Sequence, residues 1–492
     1  MVTGALLAKE GYRVTVLEKN AIIGGGLQTF KRHGVGFPTG MHVFGGFGKD
    51  GNLRKMYEYL GVMDRIKIRP SDADAVDVIT VIESGETYRL PKGREAFVKY
   101  LSERFPDEAQ HIQTYIDKLY KISEEEHLYY LRESSDQDLM HSEDFLCSME
   151  QLMTKCGLQN PKLKVLLGYL VPLIGSSPET TPAFIPAVLS LHHINGHYQF
   201  VDDSQQLAEA LKEVIVNAGG QILANTEVVH IKVENRQVVE VVSKKGDQYQ
   251  ADCYISDVHP DVLLRLLDDG AFPRFYKERL QSIPETHSSF KVFIKFKEGA
   301  FPYYNHANFL LTDYDANILE QKSSSQKDWP RGLLFTTPPV EGQGDFAQTM
   351  VIVVPMSYDW VRPWENTHTG HRGKEYENWK QTMMNQVLDY MENLYPDFRK
   401  SIEFAFASSP LTIRDYYGNK EGSNYGFQKD SRNLMLSQMS VFTKVKNLYL
   451  TGQNVNLHGL CGVSLTAIET AEALVGKNAI VRKINNFCMN HS

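Results

Sequence analysis

Apolar and polar residues along this chain follow two periodicities, and the order in which these change predicts its elements. Val2, Ala5, Leu6 and Lys9 sit at helical spacing and predict a short helix over 2–10. Gly11 suits the end of that helix, because glycine enters positive φ without steric cost. Arg13 to Glu18 reads as a β-branched strand, short enough for the middle of a parallel sheet, with Glu18 at its C-terminal end. In open α/β sheets ligands bind at that end. Next come the turn residues Gly24, Gly25 and Gly26, a second glycine-rich stretch from Gly34 to Gly48, and a helix over Leu53 to Leu60.

Between about 80 and 200 the pattern changes. Val76 to Glu83 and Thr87 to Leu90 read as strands, and Arg94 to Arg104 and Glu108 to Leu131 as helices. Lys162 to Ile174 is the most apolar window, and Pro172, Pro178, Pro182 and Pro186 cut this region into short pieces, with His192, His193 and His197 in a loop. After residue 200, Asp203 and Gln206 are spaced to cap a helix whose buried face is Leu207, Leu211, Val214 and Ile215. Gln221 to Val233, Gln237 to Ser243 and Gln248 to Ile255 predict a three-stranded meander, followed by a helix from Pro260 to Leu267. Further strands are expected over Ser288 to Lys297, Met350 to Pro355 and Asn447 to Gly452. Helices are expected over Lys374 to Leu394 and Val463 to Leu474, with the last dozen residues frayed.

Composition narrows the function classes. With 492 residues, 42% apolar and 23% charged, the chain is long enough for more than one core and is not disordered. Its net charge is −8 and Lys and Arg never run beyond a pair, which argues against a nucleic-acid footprint. Five scattered cysteines without a CxxC indicate neither a disulfide framework nor a zinc ribbon, so a reducing compartment is expected. No apolar run approaches the ~18 residues of a spanning helix. Lys9, Glu10 and Gly11 interrupt the N-terminus before a signal sequence can form. HExxH and G-x-S-x-G are absent, and the three histidines have no carboxylate or cysteine at ligand spacing, so no metal is expected.

Helix, Gly11, strand and Glu18 make the second half of a dinucleotide-binding βαβ unit. Near the far end stand Asn447-Leu-Tyr-Leu-Thr-Gly-Gln and Gly459-Leu-Cys-Gly-Val-Ser-Leu-Thr-Ala-Ile-Glu-Thr-Ala. With Gly24 to Gly26, these motifs make the chain resemble the two-dinucleotide-binding flavoproteins, and among them the phytoene desaturase, carotenoid isomerase and retinol saturase group. The matching segments, Gly4 to Glu18, Ile23 to Thr29, Gly36 to His42, Leu207 to Ser256, Ser409 to Phe427 and Asn447 to Gly476, span the chain. Such proteins begin with a strand and a G-x-G-x-x-G phosphate cradle. Met1 stands about where the residue after the last of those glycines falls, and the native protein is expected to carry that cradle. Without it, about three charge-assisted hydrogen bonds, or ~5–9 kcal/mol, would be lost. Leu27 replaces a frequent arginine, and Val201 to Ser204 replaces a glycine-rich turn.

The resemblance implies an α/β fold: a Rossmann-like FAD-binding domain from 1–75, 200–270 and 441–492, with an α+β substrate domain from 76–199 and 271–440. It implies that Glu18 binds a ribose, that Gly24, Gly25, Gly26, Gln28 and Thr29 meet the phosphates and ribityl chain, and that Val228 pairs with the adenine edge. Gly452, Gln453, Gly462, Val463 and Ser464 would lie beside the flavin ring, where a helix N-terminus stabilises a reduced, anionic flavin. His42 is a weak candidate acid or hydrogen-bond donor.

The implied chemistry is hydride transfer between flavin N5 and a lipophilic polyene- or retinoid-like chain, by desaturation, saturation or isomerisation. NAD(P)H is a candidate electron donor. Two alternatives stay open: an amine-oxidase-like flavoenzyme with an aromatic cage for a polar substrate, and a non-catalytic fragment that does not retain FAD. A cytoplasmic location is expected. Leu163 to Ile174, with Phe184 and Ile185, is either a substrate-tunnel mouth touching a membrane or core of the second domain.

Overall fold

The computed structural model describes residues 1–40, 42–135, 140–315 and 325–491. Met41, within the expected Thr39-Gly40-Met41-His42 motif, lies outside them.

The Rossmann-like part is built on two short parallel pairs of strands. Thr15–Leu17 pairs with Gln221–Leu223, and Tyr254–Ser256 pairs with Leu448–Leu450. Helices Val2–Lys9, Gln205–Asn217 and Gly459–Val475 bury Ala5, Leu6, Leu211, Leu465 and Ile468 in one cluster around them. Two of the expected meander strands are divided between this core and a separate small sheet. Gln221–Leu223 belongs to the core; Asn225, at φ 53, then redirects the chain, and Val228–Glu234 begins the meander with Gln237–Ser243 and Gln248–Tyr249. Likewise the chain leaves the meander after Tyr249 and returns to the core at Tyr254. Hydrophobic alternation runs through both halves of each segment, so pattern alone does not reveal the switch of partner.

The second part is a seven-stranded sheet in the order Ile402–Ser408, Ser288–Phe296, Thr349–Met356, Gly332–Thr336, Ala307–Leu311, Asp77–Val81, Glu86–Leu90. Its pairings are antiparallel except for the parallel contact of Ala307–Leu311 with Asp77–Val81. Helix Lys374–Leu394 packs Met383, Val387 and Met391 against Val292, Ile294 and Ile352 of this sheet. A helical layer with Ala109–Ser123, Pro161–Gly168 and Phe184–Ile194 forms another cluster with Ile79, Phe309 and Leu334. We propose the two-part division expected from the sequence, and note that Phe272, Leu280, Ile283, Phe427 and Met439 pack with the meander side.

Several local expectations change. The 108–131 segment ends as a helix at Ser123 and resumes as a 3₁₀ turn over His127–Tyr130. His192 and His193 lie on helix Phe184–Ile194 rather than in a loop, because Pro186 falls in its first turn, where a missing N–H costs no hydrogen bond. Asp203 accepts from the amide of Gln205 at 2.7 Å, but the residue at the N-cap is Ser204. Asp202, in the segment where the resemblance leads one to expect a glycine-rich turn, takes φ 66, a conformation that aspartate tolerates better than most side chains. Leu163, Leu166, Leu167 and Phe184 are buried in the helical core, while Ile174 and Ile185, at the edge of this window, also line a cleft. Among the described residues no single helix is long and apolar enough to cross a membrane.

The last dozen residues are not frayed. Ala479–His491 is a helix whose Ile480, Val481 and Ile484 are fully buried against the Rossmann-like core. Ile484→Ala should therefore cost about 2–5 kcal/mol and lower the thermal midpoint by several degrees. A frayed tail would leave the melting curve unchanged.

Candidate active site

A cleft of about 1870 Å³ opens along the carboxyl ends of both parallel strand pairs. That is roughly twice the upper end of the ~300–1,000 Å³ common for ligand sites, so it has room for a dinucleotide and a second molecule.

One half of the cleft is polar. Glu18 follows the strand Thr15–Leu17; its N–H donates to Leu223 O at 3.0 Å and its carbonyl accepts from Thr226 at 2.8 Å. Oε1 accepts from the Asn20 amide at 2.7 Å, which leaves Oε2 for a ligand. Burial raises the Glu18 pKa above the ordinary carboxylate range; the Asn20 bond opposes this, and the charge of Asp257 adds to it.

Beside it, Gly24 and Gly25 both take positive φ, and a Cβ on Gly24 would lie 2.7 Å from Ala208 Cβ. The turn is pinned from behind by Gln28 Nε2 donating to Ile22 O at 2.6 Å, and Ser204 Oγ to Leu27 O at 2.8 Å. A Cβ on Gly40 would meet Tyr417 Oη at 2.8 Å. Across the cleft, His458 to Val463 bring in the first turn of helix Gly459–Val475, which has no side-chain cap. Its free N–H groups and the positive end of its dipole face the cleft.

The other half is apolar. Helix Phe184–Ile194 presents Ile185, Val188, Leu189, His192 and His193 at helical spacing, opposite Leu334, Val353 and Leu457. Lys291 stands mid-strand with Ser289 on the cleft side of the large sheet. Lys291 Nζ donates to Thr39 O at 2.7 Å and has no carboxylate partner among the described residues; burial lowers its pKa to about 8. His42 is half-buried, with its Nδ1 enclosed and unpartnered, and desolvation, with the charge of Lys291, holds its pKa at about 3. It is therefore a neutral group at physiological pH, which leaves hydrogen-bond donation as the expected role it can still fill.

The structure thus brings Glu18, Gly24, Gly25, Gly26, His42, Val228, Gly452, Gln453, Gly462 and Val463 to one cleft. It does not bring Gln28, Thr29 or Ser464 there. Gln28 holds the glycine turn, and Thr29 Oγ1 is buried without a partner. Ser464 Oγ shares a hydrogen bond of 2.9 Å with Tyr57 Oη at the packing face of its helix.

Sequence reasoning missed Lys291 and Asp77, although a lysine and an aspartate inside apolar strands were the available signal. Asp77 also corrects the reading of the histidines, since a carboxylate does reach them from far along the chain. Asp77 Oδ2 accepts from His193 Nδ1 and from Tyr169 Oη, both at 2.7 Å, and Oδ1 lies 3.1 Å from His197 Nε2. Burial opposes the Asp77 charge, but the two imidazoles hold its pKa well below the usual carboxylate range. The spacings are those of hydrogen bonds; two ligands on one tetrahedral zinc would stand ~3.3 Å apart, and Tyr169 already shares the Oδ2 that His193 uses.

Helix Gly459–Val475 also carries one shifted carboxyl, Glu469, with a second, Glu126, near enough to feel its charge. Burial, then the charge of Glu469, raises the Glu126 pKa to about 7, and burial raises that of Glu469 to about 7. Both exceed the ordinary 4.5, so between these values the folded chain keeps protons that the unfolded chain has released. Stability from these groups is therefore lost as the pH rises through that window. Glu126→Gln cannot acquire the charge, and its thermal midpoint should exceed that of wild type by more at pH 8 than at pH 5. Equal differences at both values would contradict the assignment.

The family model described as "Flavin containing amine oxidoreductase" matches residues 1–475. The chain is 25% identical to all-trans-retinol 13,14-reductase of Rattus norvegicus, over 97% of this chain and 84% of that protein. It is 24% identical to 4,4'-diaponeurosporene oxygenase of Staphylococcus aureus, over 97% and 96%. Among solved structures, an oxidoreductase from Methanosarcina mazei matches with a TM-score of 0.64 at 14% identity, covering 96% of this chain and 97% of that one, which shows a shared fold. The glycine turn, the strand-end carboxylate and the uncapped helix line one cleft, and the match over residues 1–475 shows that the chain belongs to the flavin-containing amine oxidoreductase family.

Proposed function

We propose that this protein is an FAD-dependent oxidoreductase that exchanges hydride with an apolar polyene- or retinoid-like chain, with NAD(P)H as a candidate electron donor. The observation that carries the reading is the division of one cleft into a polar half and an apolar half that meet at the first turn of helix Gly459–Val475.

The residues present fit the cofactor. Glu18 Oε2 would accept from a ribose hydroxyl, the backbone of Gly24 to Gly26 would lie along the phosphate and ribityl region, and Val228 would border the adenine. The His458 to Val463 turn would face the pyrimidine edge of the ring, where negative charge gathers on reduction. A bound flavin supplies hydride exchange at N5. The protein's part is to hold a C–C bond over that atom and exclude water.

The charge distribution supports the substrate class. The acidic residues of the cleft, Glu18, Glu227, Asp252 and Asp257, stand at the strand ends and meander of the polar half. Among the described residues, the apolar half holds a buried Lys291 with no carboxylate partner and no carboxylate on its surface. A cationic amine there would be repelled without compensation. Tyr417 and Tyr425 both line the cleft and would form part of an aromatic cage for an amine, but Lys291 opposes such a substrate. A polyene that buries on the order of 500 Å² gains a gross ~12 kcal/mol without any charged anchor.

FAD-loaded, anaerobically reduced protein should regain oxidised-flavin absorbance when all-trans-retinol or a carotenoid is added, with a product changed by two mass units. Reduction of the oxidised flavin by polyamines, with no response to polyenes, would overturn the reading. Glu18→Ala should weaken FAD binding by at least about tenfold, as the ribose hydrogen bond to the charged Oε2 is lost, and a fluorescence titration measures this directly.

A further inference from the structure

Exchange of two hydrogens across a C–C bond needs a proton as well as a hydride, and the apolar half of the cleft holds one group built to move a proton. His193 lines that half, and its Nδ1 is tied at 2.7 Å to Oδ2 of the fully buried Asp77. Tyr169 Oη and His197 Nε2 hold the carboxylate from its other sides, at 2.7 and 3.1 Å. Four elements meet here: strand Asp77–Val81, the Tyr169 end of helix Pro161–Gly168, helix Phe184–Ile194 and the chain at His197. A carboxylate behind an imidazole holds Nδ1 as the protonated nitrogen, which leaves Nε2 as the site that can give or take a proton.

No other histidine of this half has that arrangement. His42 and His192 are half-buried, each with one enclosed, unpartnered nitrogen. His287 has both nitrogens engaged, at 2.9 Å to Ser288 O and 2.7 Å to Pro172 O.

We propose that Asp77 and His193 form the proton-transfer pair of the cleft. His193 Nε2 exchanges a proton with the substrate carbon next to the one that exchanges hydride, and Asp77 is its positioning residue. This rests on the polyene reading above. In saturation, hydride from reduced flavin forms one C–H bond as the π bond breaks, and the π electron pair goes to the neighbouring carbon. That pair takes the proton from Nε2, and the N–H electrons stay on nitrogen. The alkene is reduced by two electrons, the flavin is oxidised by two, and His193 recovers a proton from water. Desaturation is the reverse.

The test combines single-turnover oxidation of reduced, FAD-loaded enzyme by all-trans-retinol in H₂O and D₂O with nitrogen NMR of histidine-labelled enzyme. In D₂O wild type should place a solvent deuterium on the carbon next to the one that takes hydride, separate from any deuterium delivered by the exchangeable N5 hydrogen of the flavin. His193→Gln should slow the step by about 10²-fold or more, in the range of a lost general acid, while FAD affinity changes less than about twofold. Asp77→Asn, nearly isosteric, should slow it less and release the Nδ1 proton of His193 to both nitrogens in the NMR spectrum. His193→Gln reacting at the wild-type rate would overturn the proposal, as would a wild-type ring protonated only on Nε2. If wild type itself does not react with any polyene, the substrate reading fails. The NMR result then decides the pair: an Nδ1 proton dependent on Asp77 supports it, and any other state sinks it.

Discussion

Four strands of three residues each determine where everything else in the site can stand. Thr15–Leu17, Gln221–Leu223, Tyr254–Ser256 and Leu448–Leu450 come from distant parts of the chain and pair in parallel. Parallel pairs cannot be closed by a tight turn, so each must be bridged by a crossover. Strands this short contribute few ladder bonds. Their alignment depends on the helices that bury Leu6, Leu211 and Ile468 between them. Once aligned, the strand ends put Glu18, Asp257 and Gly452 on one rim, and the turns that follow build the cleft. The second body of the protein enters only as the far wall.

That wall gives the cleft its electrical asymmetry. Acids gather where hydroxyls and backbone amides of a dinucleotide would be met, and a lone buried ammonium stands on the opposite side. Lys291 keeps one hydrogen bond to the Thr39 carbonyl, and the strand that carries it is otherwise closed by Phe290, Val292 and Ile294 on its back face. Burial holds the histidine beside it neutral. An apolar chain meets little electrostatic opposition in such surroundings, whereas a cation meets a like charge that water cannot screen. Substrate class thus follows from where charge is left unpaired as well as from where apolar surface lies.

The parts of this arrangement legible in the sequence were those fixed by local rules. Helix Arg94–Arg104 and helix Lys374–Leu394 fall where their periodicity ends, and the glycine turn stands where its residues require positive φ. The polar half of the cleft was legible for the same reason, since its residues sit on short motifs. Partner choice was not legible: nothing in Gln221 to Val233 marks the point at which the chain leaves one sheet for another. Ser464 shows a related limit, because a motif specifies a helix but not which of its faces meets a neighbour such as Tyr57. The C-terminal helix was missed because its anchors, Ile480, Val481 and Ile484, are few and set among polar residues.

Asp77 explains why the apolar half resisted sequence reading. It lies 116 residues from His193, in a strand whose neighbours are Val76, Val78 and Ile79, and it looks like a fault in an apolar run. A buried carboxylate survives only where enough donors surround it, and those donors come from three other segments. Such a group costs desolvation energy that an apolar residue would avoid, and burying it requires Tyr169, His193 and His197 to arrive together. The fold retains this cost at the wall of its cleft, against a ring whose second nitrogen is left free. Stability alone would favour a leucine there; a carboxylate makes sense where the imidazole in front of it has to be held in one tautomer and one orientation.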